Sequence, residues 1–207
     1  MIVNPEIENY ILGLLPPRDA VLAEMEARAA AERIPIIGPA VAGLLAQLVH
    51  ISGARRIFEL GSAIGYSTIW LARAAGEGSE IHYSDSSPEN ARQARAYFER
   101  AGVAGRIQVH VSDALAALRE TPGEFDLIFN DVDKEGYPGV LEAVPSRLRV
   151  GGLFLTDNVL WHARVLNPPD ETSRAVVEFN HGLFSRNDFS SCLIPIRDGV
   201  TIARKLR

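Results

Sequence analysis

The stretch Arg56-Ile57-Phe58-Glu59-Leu60-Gly61-Ser62-Ala63-Ile64-Gly65-Tyr66-Ser67 decides how this chain is read. It begins with a β-prone run, Arg56-Ile57-Phe58, turns through two glycines, and passes into helix-forming sequence over 67–75. Glycine lets a backbone turn tightly and pass close to a ligand. A strand, a glycine loop and a helix in that order open a βαβ unit. The pattern then repeats downstream. Ile81-His82-Tyr83 predicts a strand, and 88–101 a helix whose first turn carries Pro88 and Glu89, as helix starts prefer. Residues 107–111 and 125–130 predict further strands, 114–119 a short helix, and 138–148 another helix. Gly151-Gly152 then leads into a strand at 153–156. Strands alternating with helices give a parallel sheet covered on both faces. The C-terminal end departs from this, because Cys192-Leu193-Ile194-Pro195-Ile196 and Val200-Thr201-Ile202-Ala203 flank Arg197-Asp198-Gly199. Asp-Gly between apolar runs marks a hairpin. The expected fold is α/β: a mostly parallel sheet closed by an antiparallel C-terminal hairpin.

Upstream of residue 55 the chain reads as helix only. Residues 20–33 are rich in strong helix formers, Pro35 and Pro39 interrupt, and 40–49 resume with apolar positions on most faces. With 207 residues the chain fits one domain, 1–207, made of an N-terminal helical extension over 1–51 and an α/β core over 52–207. The 47% hydrophobic and 23% charged content is the balance of a globular protein rather than a disordered one. No apolar run reaches the roughly 20 residues that span a bilayer. Met1-Ile2-Val3-Asn4-Pro5-Glu6 lacks the basic start and apolar run of a secretory signal. Cys192 is the only cysteine, which excludes an internal disulfide. It is expected to be a small buried hydrophobe. These features predict a cytoplasmic protein. The net charge of −5 argues against a polyanionic partner. The apolar N-terminal helices predict a homodimer.

Ligands of open α/β sheets bind beyond the carboxyl ends of the strands. Each of the five expected parallel strands is followed by a carboxylate: Glu59, Asp85, Asp113, Asp131 and Asp157. One such Asp is ordinarily turn punctuation. Five together point to a site. The first loop, with three residues between Gly61 and Gly65, differs from the G-x-G-x-x-G that seats a pyrophosphate on a helix N-terminus. Glu59 would repel phosphate there and favour a ligand carrying a cationic amine and sulfonium. Asp85, 20 residues beyond Gly65, stands near the spacing at which an acidic residue meets ribose hydroxyls. The histidines 50, 82, 110, 162 and 181 show no metal-ligand spacing.

Three segments in order, Phe58 with Glu59-Leu60-Gly61-Ser62-Ala63-Ile64-Gly65-Tyr66-Ser67, Asp131-Val132-Asp133-Lys134-Glu135-Gly136-Tyr137 and Thr156-Asp157-Asn158-Val159-Leu160-Trp161, resemble the signatures of the catechol/caffeoyl-CoA O-methyltransferases. Pro195-Ile196-Arg197-Asp198-Gly199-Val200-Thr201 resembles that family's terminal hairpin. The likeness runs from about Pro35 to the C-terminus. It implies a Rossmann-like S-adenosylmethionine-dependent methyltransferase fold with a seven-stranded sheet. It further implies that Ile37, Glu59, Gly61, Ser62, Tyr66 and Ser67 surround the methionine part of S-adenosylmethionine. Asp85 would hold the ribose, Asp113 and Ala114 would lie at the adenine, and Asp131 would border the cofactor. Asp131, Asp157 and Asn158 would ligate a divalent metal, Mg²⁺ ahead of Mn²⁺ and Ca²⁺. Lys134, with Asp131, would be catalytic as the base at the acceptor oxygen, and Lys134, Trp161 and His162 would touch the acceptor.

Where many relatives carry an acidic residue and a Gly-Gln pair, this chain reads Gly38-Pro39-Ala40-Val41-Ala42-Gly43-Leu44, a more apolar wall. The expected reaction is methyl transfer to a metal-coordinated hydroxyl of a small catechol-like or vicinal-diol acceptor. The competing reading is O-methylation of a hydroxylated uridine in transfer RNA, with Arg55, Arg56, Arg92, Arg95, Arg100 and Arg106 as a basic patch. A third reading is a nucleoside-binding regulatory protein without turnover.

Overall fold

The computed structural model describes residues 3–207, so Met1 and Ile2, part of the segment read for a signal, lie outside the described residues. Three helices come first: α1 (Pro5–Leu14), α2 (Ala20–Glu32) and α3 (Gly38–Ser52). Strands and helices then alternate through β1 (Arg56–Leu60), α4 (Tyr66–Ala75), β2 (Glu80–Asp85), α5 (Pro88–Arg100), β3 (Ile107–Val111), α6 (Ala114–Glu120), β4 (Phe125–Asn130), α7 (Tyr137–Ala143) and β5 (Leu148–Thr156). Helix α8 (Glu171–Phe184) and the hairpin β6 (Phe189–Ile194) and β7 (Val200–Lys205) complete the chain. Local chemistry sets the helix starts. Asp19, Ser87, Asp113 and Asp170 each turn a side-chain oxygen onto the free backbone N–H groups of α2, α5, α6 and α8. Each such cap contributes about 1 kcal/mol.

The seven strands form one sheet in the order β3-β2-β1-β4-β5-β7-β6. β1 to β5 pair in parallel, and β7 inserts antiparallel between β5 and β6. The strand order reverses between β1 and β4, the point at which such sheets open a crevice. Successive side chains point to opposite faces. Accordingly Ile57, Ile81, Leu127 and Leu155 pack with Val41, Leu45 and Ile69 of α3 and α4. Phe58, Phe125, Ile128 and Phe154 pack with Val140 and Phe179 of α7 and α8.

The structure departs from the sequence reading in three places. The helix expected over 138–148 stops at Ala143, because Pro145 has no N–H with which to continue it, and a 3-10 turn, Val144–Ser146, follows. Gly151 and Gly152 lie inside β5 rather than before it. A Cβ at Gly152 would come within 2.9 Å of the carbonyls of Arg149 and Asp126, so the strand needs glycine where it closes on β4. Cys192 is exposed, since β6 is the edge strand and Cys192 shares its outward face with Ser190. Helix α1 falls within the helical extension expected over 1–51 and keeps none of its residues buried. No described helix is long and apolar enough to cross a membrane.

Candidate active site

The carboxyl ends of β1 to β5 open onto one cleft of about 1390 Å³. Of the residues expected at a site, Gly61, Asp85, Asp113, Ala114, Asp131, Lys134, Asp157, Asn158, Trp161 and His162 line it together. Ile37, Glu59, Ser62, Tyr66 and Ser67 lie buried behind that wall.

The loop after β1 is drawn tight. Gly61 has a φ of +79°, and a Cβ there would sit 2.7 Å from the Asp131 carbonyl, so only glycine lets this loop touch the one after β4. The N–H of Asp131 donates to the Leu60 carbonyl at 2.9 Å, which joins the two loops from the other side. Asp85 anchors the far end: one oxygen accepts from the N–H of Ala63 at 2.9 Å, the other from Ser87 and Asn90. Behind the loop Glu59 is fully buried and accepts from the Thr68 hydroxyl. Burial lifts its carboxyl to about 7, against the pull of the hydroxyls of Ser67, Thr68 and Ser62. Tyr66 does not itself line the cleft, and its hydroxyl donates to Glu26 of α2, which does, at 2.8 Å. Asp113 lines the cleft while capping α6 through the N–H of Ala116 at 2.8 Å.

The second half of the site gathers charge. Lys134 is 6% exposed, and its Nζ donates to Asn158 Oδ1 at 3.1 Å and to the Val132 carbonyl at 3.2 Å. It stands 3.8 Å from Asp131 Oδ1. The rings of Tyr137 and Trp161 border the ammonium at 4.9 and 5.4 Å. Asp157 is almost wholly buried, and its Oδ1 has no hydrogen-bond partner among the described residues. Burial pushes its carboxyl up to about 6. Burial and the charge of Asp157 push Asp131 well above the usual carboxylate range, which Lys134 partly offsets. Asn158 adopts a left-handed φ of +58°, a conformation that asparagine tolerates better than most residues. Among the described residues no three His, Cys, Asp or Glu side chains gather as a metal cluster. The candidate ligand set is instead two carboxylates and one amide oxygen.

The outer wall comes from two segments. Trp161, His162 and Ala163 all hold positive φ, and the N–H of His162 donates to Asp198 Oδ1 at 2.6 Å. That bond ties the segment after β5 to the β6–β7 turn. Trp161 stacks on His162 with ring centroids 5.5 Å apart, and His162 itself is largely exposed.

The sequence reading missed Arg18, Glu26, Asn90, Arg197 and Asp198 on the cleft wall. Arg18, from the link between α1 and α2, pairs at 3.1 Å with Glu26 of α2, and nothing in their spacing announces the pairing. Asn90 was open to inference, since it stands one helical turn into α5, the helix entered directly from Asp85. The other histidines lie away from the cleft. His50 and His181 are exposed, while His82 and His110 pair at 2.9 Å under Phe58. Of the arginines read as a basic patch, Arg56, Arg92, Arg100 and Arg106 are paired with Glu80, Glu89, Glu24 and Glu77.

Known proteins align with this arrangement. The O-methyltransferase family model matches residues 18–206. A catechol O-methyltransferase of Mycobacterium tuberculosis is 34% identical over 170 residues, covering 81% of this chain and 77% of that one. A caffeoyl-CoA O-methyltransferase of Nicotiana tabacum is 31% identical over 176 residues, covering 78% and 73%. The crystal structure of an O-methyltransferase from Bacillus cereus in complex with SAH is 30% identical, with a TM-score of 0.87 over 97% of both chains. The seven-stranded sheet with its antiparallel hairpin is therefore the methyltransferase fold, and the chain belongs to the O-methyltransferase family.

Proposed function

We propose that the protein moves a methyl group from S-adenosylmethionine to a hydroxyl of a small catechol-like or vicinal-diol acceptor, with a divalent cation, Mg²⁺ ahead of Mn²⁺ and Ca²⁺, at the acceptor. The observation that carries this reading is the convergence of Lys134, Asp131, Asp157 and Asn158 at the ends of β4 and β5, with Asp157 Oδ1 buried and unpartnered. Asp157 is buried and its charge, with burial, pushes Asp131 well above the usual carboxylate range, so the pair lacks positive charge, which a hard cation would supply. Asp131, Asp157 and Asn158 would hold that cation. When bound, it lowers the pKa of the acceptor hydroxyl and fixes its orientation.

The remaining roles fall to the chain itself. Lys134 takes the hydroxyl proton, a transfer for which its near-buried ammonium must first give up its own. Glu59, Gly61, Ser62, Ser67 and the backbone at Ile37 and Tyr66 hold the methionine end, where Glu59 answers the ammonium. Asp85 takes the ribose hydroxyls, and Asp113 and Ala114 border the adenine. Trp161 and His162 wall the acceptor. Holding oxygen and methyl carbon in line converts a bimolecular reaction into one within a complex. The paired arginines outside the cleft support a small acceptor over transfer RNA.

We further propose a homodimer. Ile7, Tyr10 and Leu14 form an exposed apolar row along α1, a face that a second copy would cover. The exposed thiol of Cys192 suits a reducing cytoplasm. Incubation with methyl-labelled S-adenosylmethionine, catechol and Mg²⁺ tests the activity. Label in a monomethylated catechol, lost on adding chelator, is the expected result. Undiminished transfer in chelator removes the cation from the reading. Light scattering at micromolar concentration tests the dimer.

A further inference from the structure

Three cationic side chains line the cleft: Arg18, Lys134 and Arg197. Arg18 is paired with Glu26, and Lys134 stands by Asp131 and Asn158. Arg197 differs. Among the described residues no carboxylate lies within ion-pair distance of it, and its one hydrogen bond runs from Nη1 to the Ile36 carbonyl at 2.9 Å. The guanidinium is exposed at the tip of the β6–β7 turn and rests over Gly38, where a Cβ would stand 3.1 Å from Nη1. Its neighbour Asp198 does not neutralise it, because Asp198 faces the backbone of His162. The charge of Arg197 reaches the interior, where it offsets part of the rise that burial imposes on Asp131 and Asp157.

We propose that Arg197 is the specificity-determining residue of the cleft and selects acceptors bearing a carboxylate. The proposal rests on the O-methyltransfer reading above. A guanidinium held at one N–H leaves the others free to meet a carboxylate, often in a two-point contact that an ammonium does not reproduce. The rest of the cleft repels such a group, with Asp85, Asp113, Asp131, Asp133, Asp157 and Glu135 along its walls. An anionic acceptor is therefore accepted in one orientation. Its carboxylate lies at the β6–β7 turn and its hydroxyls face Lys134.

The test compares 3,4-dihydroxybenzoate with its uncharged methyl ester and with a catechol amine, in the full-length protein and in R197Q, R197K and R197E. The wild-type protein is expected to favour the carboxylate over the ester in kcat/KM by about tenfold or more, the worth of one charged hydrogen bond. R197Q should bring that ratio near one, R197K should restore part of it, and R197E should turn the preference toward the amine. Binding of S-adenosylhomocysteine, followed by calorimetry, should be the same in all four proteins. An equal ratio in wild type and R197Q overturns the proposal. So does weakened binding of S-adenosylhomocysteine in R197Q with the ratio intact, which assigns the guanidinium to the cofactor. Should no catechol be methylated, the reading of the reaction fails. Calorimetry of 3,4-dihydroxybenzoate on the S-adenosylhomocysteine complex then still decides Arg197, which stands only if R197Q weakens binding.

Discussion

The ammonium of Lys134 lies 3.1 Å from the amide oxygen of Asn158. A lysine this buried loses the solvation of its charge, and it keeps its place through Asn158, the Val132 carbonyl and the ring faces of Tyr137 and Trp161. If it serves as base, K134A and K134R should both lower kcat by about 10²- to 10⁴-fold, the usual range for a general base. Binding of S-adenosylhomocysteine should be unaffected. Rapid-quench measurement of one turnover checks this. A kcat within threefold of wild type in K134A ends the assignment.

Asp157 rises to about 6 from an ordinary 3.8 on folding. A carboxyl whose folded pKa is raised stabilises the fold below its unfolded value and loses that contribution as pH rises to the folded one. Without a cation, stability should therefore decline between 3.8 and about 6 from this group. Millimolar Mg²⁺ should reverse the loss and raise Tm at neutral pH, by about 2.7 kcal/mol of stability at a hundred times Kd. D157A should show no Mg²⁺-dependent rise and no methylation, and D131A the same. Thermal melts with and without chelator read both.

Burial raises the carboxyl of Glu59 to about 7, so its protonated form competes at neutral pH before a ligand arrives. A cationic methionine end favours the ionised form. Affinity for S-adenosylmethionine should consequently improve as pH rises through about 7, by up to tenfold per unit below it. E59Q should bind more weakly and lose that slope. Calorimetric titrations at several pH values give the answer, and a slope that persists in E59Q refutes it.

The pair His82 and His110 lies on the opposite face of the sheet, linked to Glu80 at 2.6 Å and covered by Phe58 and Phe125. Burial pushes the pKa of both rings below the usual 6.5. The unfolded chain then binds more protons than the folded one just below that value, so stability falls as pH falls. Urea denaturation between about pH 5 and pH 8 should show this decline. His82→Leu should flatten it, and an unchanged slope in that variant refutes the assignment.

Much of this was legible because the chemistry is local. Gly61, Asp85 and Asp113 are strand-end residues whose positions follow from alternation alone, and their cleft was readable from the sheet type. The ligand roles proposed for Asp131, Asp157 and Asn158 came instead from resemblance. Long-range packing escaped the reading. Arg197 meets Ile36 across 161 positions, and Arg18 meets Glu26 only because the link between α1 and α2 folds back. Cys192 was misjudged because its strand looks interior by composition, and only strand order puts it at the sheet edge. The break in the helix after Ala143 was open to view in Pro145.

The antiparallel insertion of β7 has a consequence for how this enzyme can change. Because Thr156 pairs with Thr201, the turn at 197–199 must arrive beside the end of β5, whatever its sequence. The loops proposed to face the nucleoside are encoded within 61–114, whereas the outer wall is drawn from 161–163 and 197–199. Few residues serve both. On that proposed assignment, substitution or lengthening at the turn would diversify acceptor choice while the methyl-donor half stays intact, which would make the last hairpin the natural place to graft new selectivity.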